Sequence, residues 1–484
     1  MIPVEWTRRQ FGAGLFAAAA AAARPRTPPG SGIVSVARSP ARLRVPASTP
    51  PGATWRYGVG TMFQAAPRVA GMFCNIRMEH APGTDFEVGN DLVLFDDPSR
   101  LSSAPALALS RNHEEINPRS EPPERSTMVK YWIRGGFVPF GAKRASDGAP
   151  HPHAGTGFGL CQAVSWPLYD REAEKTPGLR SRRSYGAAAS YQYLELQQYR
   201  YDGARCRVLS TTRVPYSELL EGWTLSNPAM GNAIADGDDL LLGLSGNESR
   251  ADDRTTSFGL ACGISRWTRG ATGWRPVPFV PVTDLSGWFE PSLIRDLDGA
   301  LLFAARGASP ATMNSINVWR SADGGRTWRQ VINLPGVISQ APVSLNRAAD
   351  GTPYIAANPY EILSHPRAKV FDLPRDPSGR PRLGGWLREN LYLWPLSADR
   401  RSLEAPVRAR DCRAEFGSPP AGSTWNVDHS MGATLQLADG RWHHLLSQRI
   451  LEYAELRGFG PTPHTGLYVE EVLSSGDAIP TWRF

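Results

Sequence analysis

Two residues of opposite charge, Glu290 and Arg306, flank an Asp-Gly turn in the stretch WFEPSLIRDLDGALLFAARG, Trp288 to Gly307. The β-rich runs on either side, Phe289 to Arg295 and Ala300 to Arg306, predict a hairpin. A three-residue loop of Leu297, Asp298 and Gly299, with Gly299 left-handed, sets Asp296 opposite Ala300 and, counting outward, Glu290 opposite Arg306. Opposed residues of an antiparallel pair have Cβ atoms about 5 Å apart, so carboxylate and guanidinium are expected to meet at the open end of the hairpin. That geometry serves a structural ion pair and a functional pair equally well.

Further along stands SADGGRTW, Ser321 to Trp328. Together with the pattern E-P-x-x-x-x-x-x-D-G-x-L-L-x-x-x-R from Glu290 to Arg306, it resembles the sialidase superfamily of β-propellers and its Asp-box turn. The resemblance implies that Glu290 assists a nucleophile and that Arg306 grips a substrate carboxylate. An Asp-box is a blade turn and carries no chemistry: Asp323 and the glycines shape it, and Trp328 packs. The segment RENLYLWPLSAD, Arg388 to Asp399, is similar to the one in which the family carries another carboxylate-binding arginine, which falls here on Arg388. Arg306 and Arg388 are then expected to form a bidentate clamp for an acidic sugar.

The pattern departs from the family one blade later. Where the family has G-Y-S, with tyrosine as nucleophile, this chain has Asp428-His429-Ser430. His429 is read as a general acid or base oriented by Asp428 and facing Glu290 across the central channel. The family's first arginine is not assigned: Arg44-Val45-Pro46 lies in linker-like sequence and Arg213-Val214-Pro215 lies too late.

A second polar set comprises Asn112-His113-Glu114-Glu115 and His151 to Gly157. No metal is expected, because spacing fixes no third ligand and Pro152 marks a loop. Propeller lyases acting on uronates use His, Tyr and Arg; by residue type His153, Tyr191 and Arg207 match as substrate-binding candidates, with His113 a further histidine of that set. Trp288, Trp425 and Tyr360 are either sugar-stacking aromatics or inter-blade core. Three functions stay open: a sialidase-like glycoside hydrolase acting on an acidic glycan, a uronate polysaccharide lyase, and a non-catalytic glycan-binding propeller. None requires a cofactor.

Positioning such residues at one channel end requires repeated hairpins. Four segments match one another: Pro228 to Leu242, Pro291 to Phe303, Pro342 to Ile355 and Ser430 to Leu446, with turn glycines Gly237, Gly299, Gly351 and Gly440. Each reads as strand, Asp-Gly turn, strand, one per blade. Met128 to Phe140, Ala187 to Leu196 and Tyr199 to Thr212 are strand-like and leave room for two or three more blades. Helical patterns are scarce. The expectation is an all-β protein, a β-propeller with six blades as the resemblance implies, seven being the alternative, over residues 55–484.

Residues 1–23 read as a twin-arginine signal peptide, with Arg8 and Arg9 before the uncharged run Phe11 to Ala23, which is too short to span a membrane. Residues 24–54 read as a linker, and the mature chain as periplasmic or secreted without a membrane span. A formal charge of +7 over 484 residues is mild and scattered, which argues against nucleic acid and fits a carbohydrate partner. The five cysteines form no C-x-x-C and are expected to be buried thiols.

Overall fold

The computed structural model describes residues 33–43, 55–78, 87–111, 113–117, 124–137, 142–144, 147–151, 153–167, 192–201, 206–215, 223–225, 233–248, 260–270, 273–309, 311–339, 341–359, 388–419, 423–454, 458–460 and 463–479. These residues form six antiparallel sheets in chain order. The fold is a six-bladed β-propeller.

The first blade runs from Trp55–Ala66 to Ala106–Arg111 and the second from His113–Asn117 to Cys206–Pro215. The third pairs Trp223–Leu225 and Ala233–Asp236 with Asp239–Glu248, then adds Leu260–Gly270 and Gly273–Pro281. The fourth is Trp288–Arg295, Leu301–Gly307, Ile316–Ser321 and Arg329–Leu334, and the fifth Ser344–Arg347, Pro353–Ala357, Asn390–Pro395 and Val407–Asp411. The last contains Ser423–Gln436, Trp442–Ala454 and Gly466–Ser474, and its outer strand is the N-terminal segment Ile33–Arg42. Met128 to Thr212 thus supplies strands to one blade, and the first blade lies wholly upstream of it.

All four segments matched as repeats are the first hairpins of blades three to six. Their turn glycines all have positive φ, 65° at Gly237, 88° at Gly299, 91° at Gly351 and 78° at Gly440. At Gly299 a Cβ would meet nothing within 4 Å, so conformation and not space selects glycine there. The core lies between blades. Leu302, Ile316 and Val343 pack with Ile355 between blades four and five, and Leu391, Trp425 and Ile450 pack between blades five and six.

The N-terminal strand corrects the linker expected over residues 24–54. Ile33 pairs with Ser474 and Arg42 with Tyr468, and the Arg42 guanidinium donates to the carbonyls of Pro463 and Thr465. Its Arg and Pro residues read as linker because an outermost strand tolerates proline and charge that an inner strand would not. Residues 1–32 lie outside the described residues.

The SADGGRTW turn is held by its own side chains. Asp323 Oδ1 accepts from Ser321 Oγ at 2.7 Å and from the amides of Arg326 and Thr327, each at 3.0 Å. Thr327 Oγ1, donating to Asp323 Oδ2 at 2.6 Å, acts first and with those donors holds the Asp323 carboxyl well below the usual carboxylate range. Cys74, Cys262 and Cys412 are buried free thiols, and Cys161 is buried.

Candidate functional site

In the fourth-blade hairpin Arg295 pairs with Leu301 and Ser292 with Ala304, and the Asp296 amide donates to the Ala300 carbonyl at 2.8 Å, as a three-residue loop requires. Beyond Ser292 the register shifts: Arg306 lies opposite Phe289, not opposite Glu290. A bulge at Glu290-Pro291 absorbs one residue, and Glu290 takes φ 49°. The expected register is therefore wrong by one, yet the expected contact forms. Arg306 Nη1 donates to Glu290 Oε2 at 2.8 Å while its guanidinium lies 4.5 Å from the centroid of the Phe289 ring. Arg306 Nε is buried and has no hydrogen-bond partner among the described residues.

The sixth blade repeats this construction. Asp428 lies opposite Arg449, the register shifts between Asp428 and Met431, and His429 takes φ 52°. The left-handed region costs an L-residue with a Cβ roughly 1–2 kcal/mol. Among the described residues, Glu290 and His429 are two of the five non-glycine residues with positive φ. Glu290 adopts it directly before Pro291, where extended backbone is favoured.

Asp428 is the hub of this second cluster. Its Oδ1 accepts from Arg449 Nε at 2.7 Å and lies 2.9 Å from His429 Nδ1; its Oδ2 accepts from Arg449 Nη2 at 2.8 Å and Arg388 Nη1 at 2.7 Å. Burial opposes the charge on Asp428, but Arg449, ahead of the other neighbours, outweighs it and holds the carboxyl well below its usual range. An ionised carboxylate has no proton to give, so Nδ1 of His429 carries the proton and donates it. Nε2 is left as an acceptor with no partner among the described residues. Burial, then the charge of Arg449, push the imidazole below 6.5, partly offset by Asp428 and by Glu290. His429 is therefore neutral near pH 7.

The two clusters share one electrostatic neighbourhood. Glu290 acts on His429, and Arg306 and Arg449 add to the burial that lowers the Arg388 guanidinium, which Asp428 partly offsets. Arg388 itself is 7% exposed and directed at Asp428, so the expected two-arginine clamp is not presented to a ligand: one of its forks is bound by an internal carboxylate. Arg449, which no motif singled out, is the residue sequence reasoning missed. Aligning its hairpin with that of Arg306 finds it, because the sixth-blade hairpin is longer by one full pleat and keeps the same face.

Other expected residues lie elsewhere. His153 sits in a turn, its carbonyl accepting from Thr156, where the chain passes between the first two long strands of the second blade, the end that Asp298 and Gly299 occupy in the fourth and so the end away from Glu290. Arg207 is exposed on the outermost strand of the second blade, away from the channel. His153 and Arg207 are thus not brought together, and Tyr191 and Tyr360 lie outside the described residues. Trp288 and Trp425 are buried, the first edge-on to Trp319 at 5.1 Å, and are core rather than sugar platforms. Among the described residues no group of His, Cys, Asp and Glu could hold a metal ion.

No family model matches the chain, and no curated protein matches it. Among solved structures it is similar to a protein of unknown function from Dyadobacter fermentans, at 12% identity over 93% of this chain and 100% of that one, with a TM-score of 0.47. A Trypanosoma rangeli sialidase in complex with sialic acid matches at 14% identity over 92% of this chain and 59% of its own, TM-score 0.48. A Penicillium chrysogenum alpha-L-arabinanase complexed with arabinobiose matches at 10% identity over 87% and 100%, TM-score 0.44. The chain thus spans a little over half of the trypanosomal sialidase.

Proposed function

We propose that the channel end of blades four to six cleaves a glycosidic bond in an acidic glycan, with His429 transferring the proton and Arg306 receiving the sugar carboxylate. The Asp428–His429 pair carries this reading: a buried carboxylate 2.9 Å from Nδ1 fixes one tautomer and leaves Nε2 free to take a proton. Charge balance supports an anionic ligand. Arg306, Arg388 and Arg449 face Glu290 and Asp428, so with His429 neutral the described groups sum to one positive charge. In hydrolysis His429 activates the attacking water, since the family's tyrosine nucleophile has no counterpart at this position.

Elimination from a uronate is a second reading, favoured by one observation. Glu290 is engaged by Arg306, so these residues offer one ready proton-transfer group, and elimination can proceed with a base that takes the C5 proton beside a neutralised carboxylate. Incubation with a panel of acidic glycans separates the outcomes. New reducing ends without ultraviolet absorbance mean hydrolysis, an unsaturated uronate means elimination, and saturable binding without turnover means a glycan-binding propeller. Full activity in His429→Ala on the cleaved glycan sinks both catalytic readings.

Export belongs to the same proposal. Replacing Arg8 and Arg9 by Lys should hold the protein in the cytoplasm, and unchanged export in cells lacking the twin-arginine translocase would refute it. Among the described residues no helix is long and apolar enough to cross a membrane.

A further inference from the structure

We infer that Arg449 is a positioning residue for His429, clamping Asp428 in the orientation that directs the Nδ1 proton inward and leaves Nε2 to the substrate. The inference rests on His429 being the proton-transfer group. Three observations carry it. The Arg449 guanidinium binds both Asp428 oxygens in a two-bond fork, at 2.7 and 2.8 Å, and is itself 3% exposed. The same Asp428 Oδ1 that accepts from Arg449 Nε lies 2.9 Å from His429 Nδ1, so carboxylate rotation would break both contacts together. Finally, the arginine occupies the place Arg306 holds in the fourth blade, opposite the residue that precedes the bulge.

That placement has a physical logic. A residue held in the left-handed region tends to relax, and something must over-determine it. In the fourth blade Arg306 bonds the strained residue itself, Glu290. In the sixth, Arg449 bonds the residue before it, and that residue holds the strained one. An arginine on the second strand thus pins each bulge, directly in one blade and through a carboxylate in the other. The charged groups facing His429 are Asp428 and Arg449 from its own blade and Glu290 from the fourth; Arg388 and Arg306 act through Asp428 and Glu290.

The test needs no substrate. Nitrogen NMR of the protein labelled with 15N-histidine, with the His429 signals assigned by loss in His429→Gln, reads tautomer and titration midpoint directly. Wild type should show the Nδ1–H tautomer. Arg449→Met should mix the tautomers and move the midpoint up, because repulsion from Arg449 is lost while Asp428 remains. Arg449→Lys, a milder change that also guards against misfolding, should restore the midpoint through its charge but not the tautomer, since an ammonium lacks the fork. An unchanged tautomer and midpoint in Arg449→Met overturns the inference. On a glycan cleaved in the panel, Arg449→Met should lose activity within the ~10²- to 10⁴-fold range of general acid–base catalysis. If the NMR signals move as expected while His429→Ala keeps full activity, the catalytic reading falls and the positioning stands.

Discussion

Glu290 and His429 occupy the same place in two different blades: each is the first residue of a bulge that follows a paired position, each has positive φ, at 49° and 52°, and each feels an arginine from the neighbouring strand. A bulge turns one side chain out of the alternation that pairing would impose. The residues so released, a carboxylate and an imidazole, are of the types that move protons or hold charge.

The backbone at His429 should be measurable as strain. His429→Gly and His429→Ala both remove the imidazole, but only glycine relieves the left-handed conformation. His429→Gly should be more stable than His429→Ala by about 1 kcal/mol in urea unfolding. Equal stabilities would mean that the bulge relaxes once the imidazole is gone.

Removing one partner of the Glu290–Arg306 pair should cost more than removing both. Their side chains are 12% and 13% exposed, so Arg306→Ala leaves a largely buried carboxylate without its partner, at a cost of about 3 kcal/mol. Glu290→Ala in the same chain should recover part of that loss. A double-mutant cycle with no coupling would show that solvent replaces the arginine.

The pH profile carries the signature of a depressed imidazole. The proposed reaction uses His429 in its neutral form, and burial and Arg449 lower it from 6.5, so kcat/KM on a cleaved glycan should hold its plateau below pH 6.5 and decline only on further acidification. An acid limb above pH 6.5 contradicts this assignment.

His443 should behave in the opposite sense. Its Nδ1 lies 2.7 Å from Glu471 Oε1 and its Nε2 3.1 Å from Asp439 Oδ2, and the bond to Glu471, joined by the charges of both carboxylates and the bond to Asp439, raises the imidazole above 6.5 against the opposing effect of burial. A pKa raised on folding gives stability that is complete below the unfolded value and disappears as pH rises through the folded one. The advantage of wild type over His443→Gln in thermal unfolding should thus be largest below pH 6.5 and shrink above it. A difference independent of pH would rule this out.

Much of the fold was legible because Asp-Gly turns leave a mark that packing does not erase. Gly237, Gly299, Gly351 and Gly440 each end one inner strand, and the hairpins follow. The Glu290–Arg306 contact was legible for the same reason, but its register was not, since a left-handed glutamate before a proline contradicts local preference and only the surrounding packing sustains it. Arg388 illustrates the other limit: its residue type fits a ligand clamp, and only the fold reveals that Asp428 already fills it. Ile33–Arg42 was hidden because an outermost strand pairs on one side and needs little hydrophobic pattern.

The pairing of Ile33 with Ser474 has a consequence for biogenesis. The segment Ile33–Arg42 has no strand partner until Gly466–Ser474 has been made, so the ring stays open until then. Its closing contact joins residues very far apart in sequence, Ile33 and Ser474, which places it among the slow steps of folding. Until then the sheet containing Gly466–Ser474 has an unprotected edge, the kind of surface that templates aggregation. Amino-terminal truncation past Arg42 would therefore leave this edge open permanently.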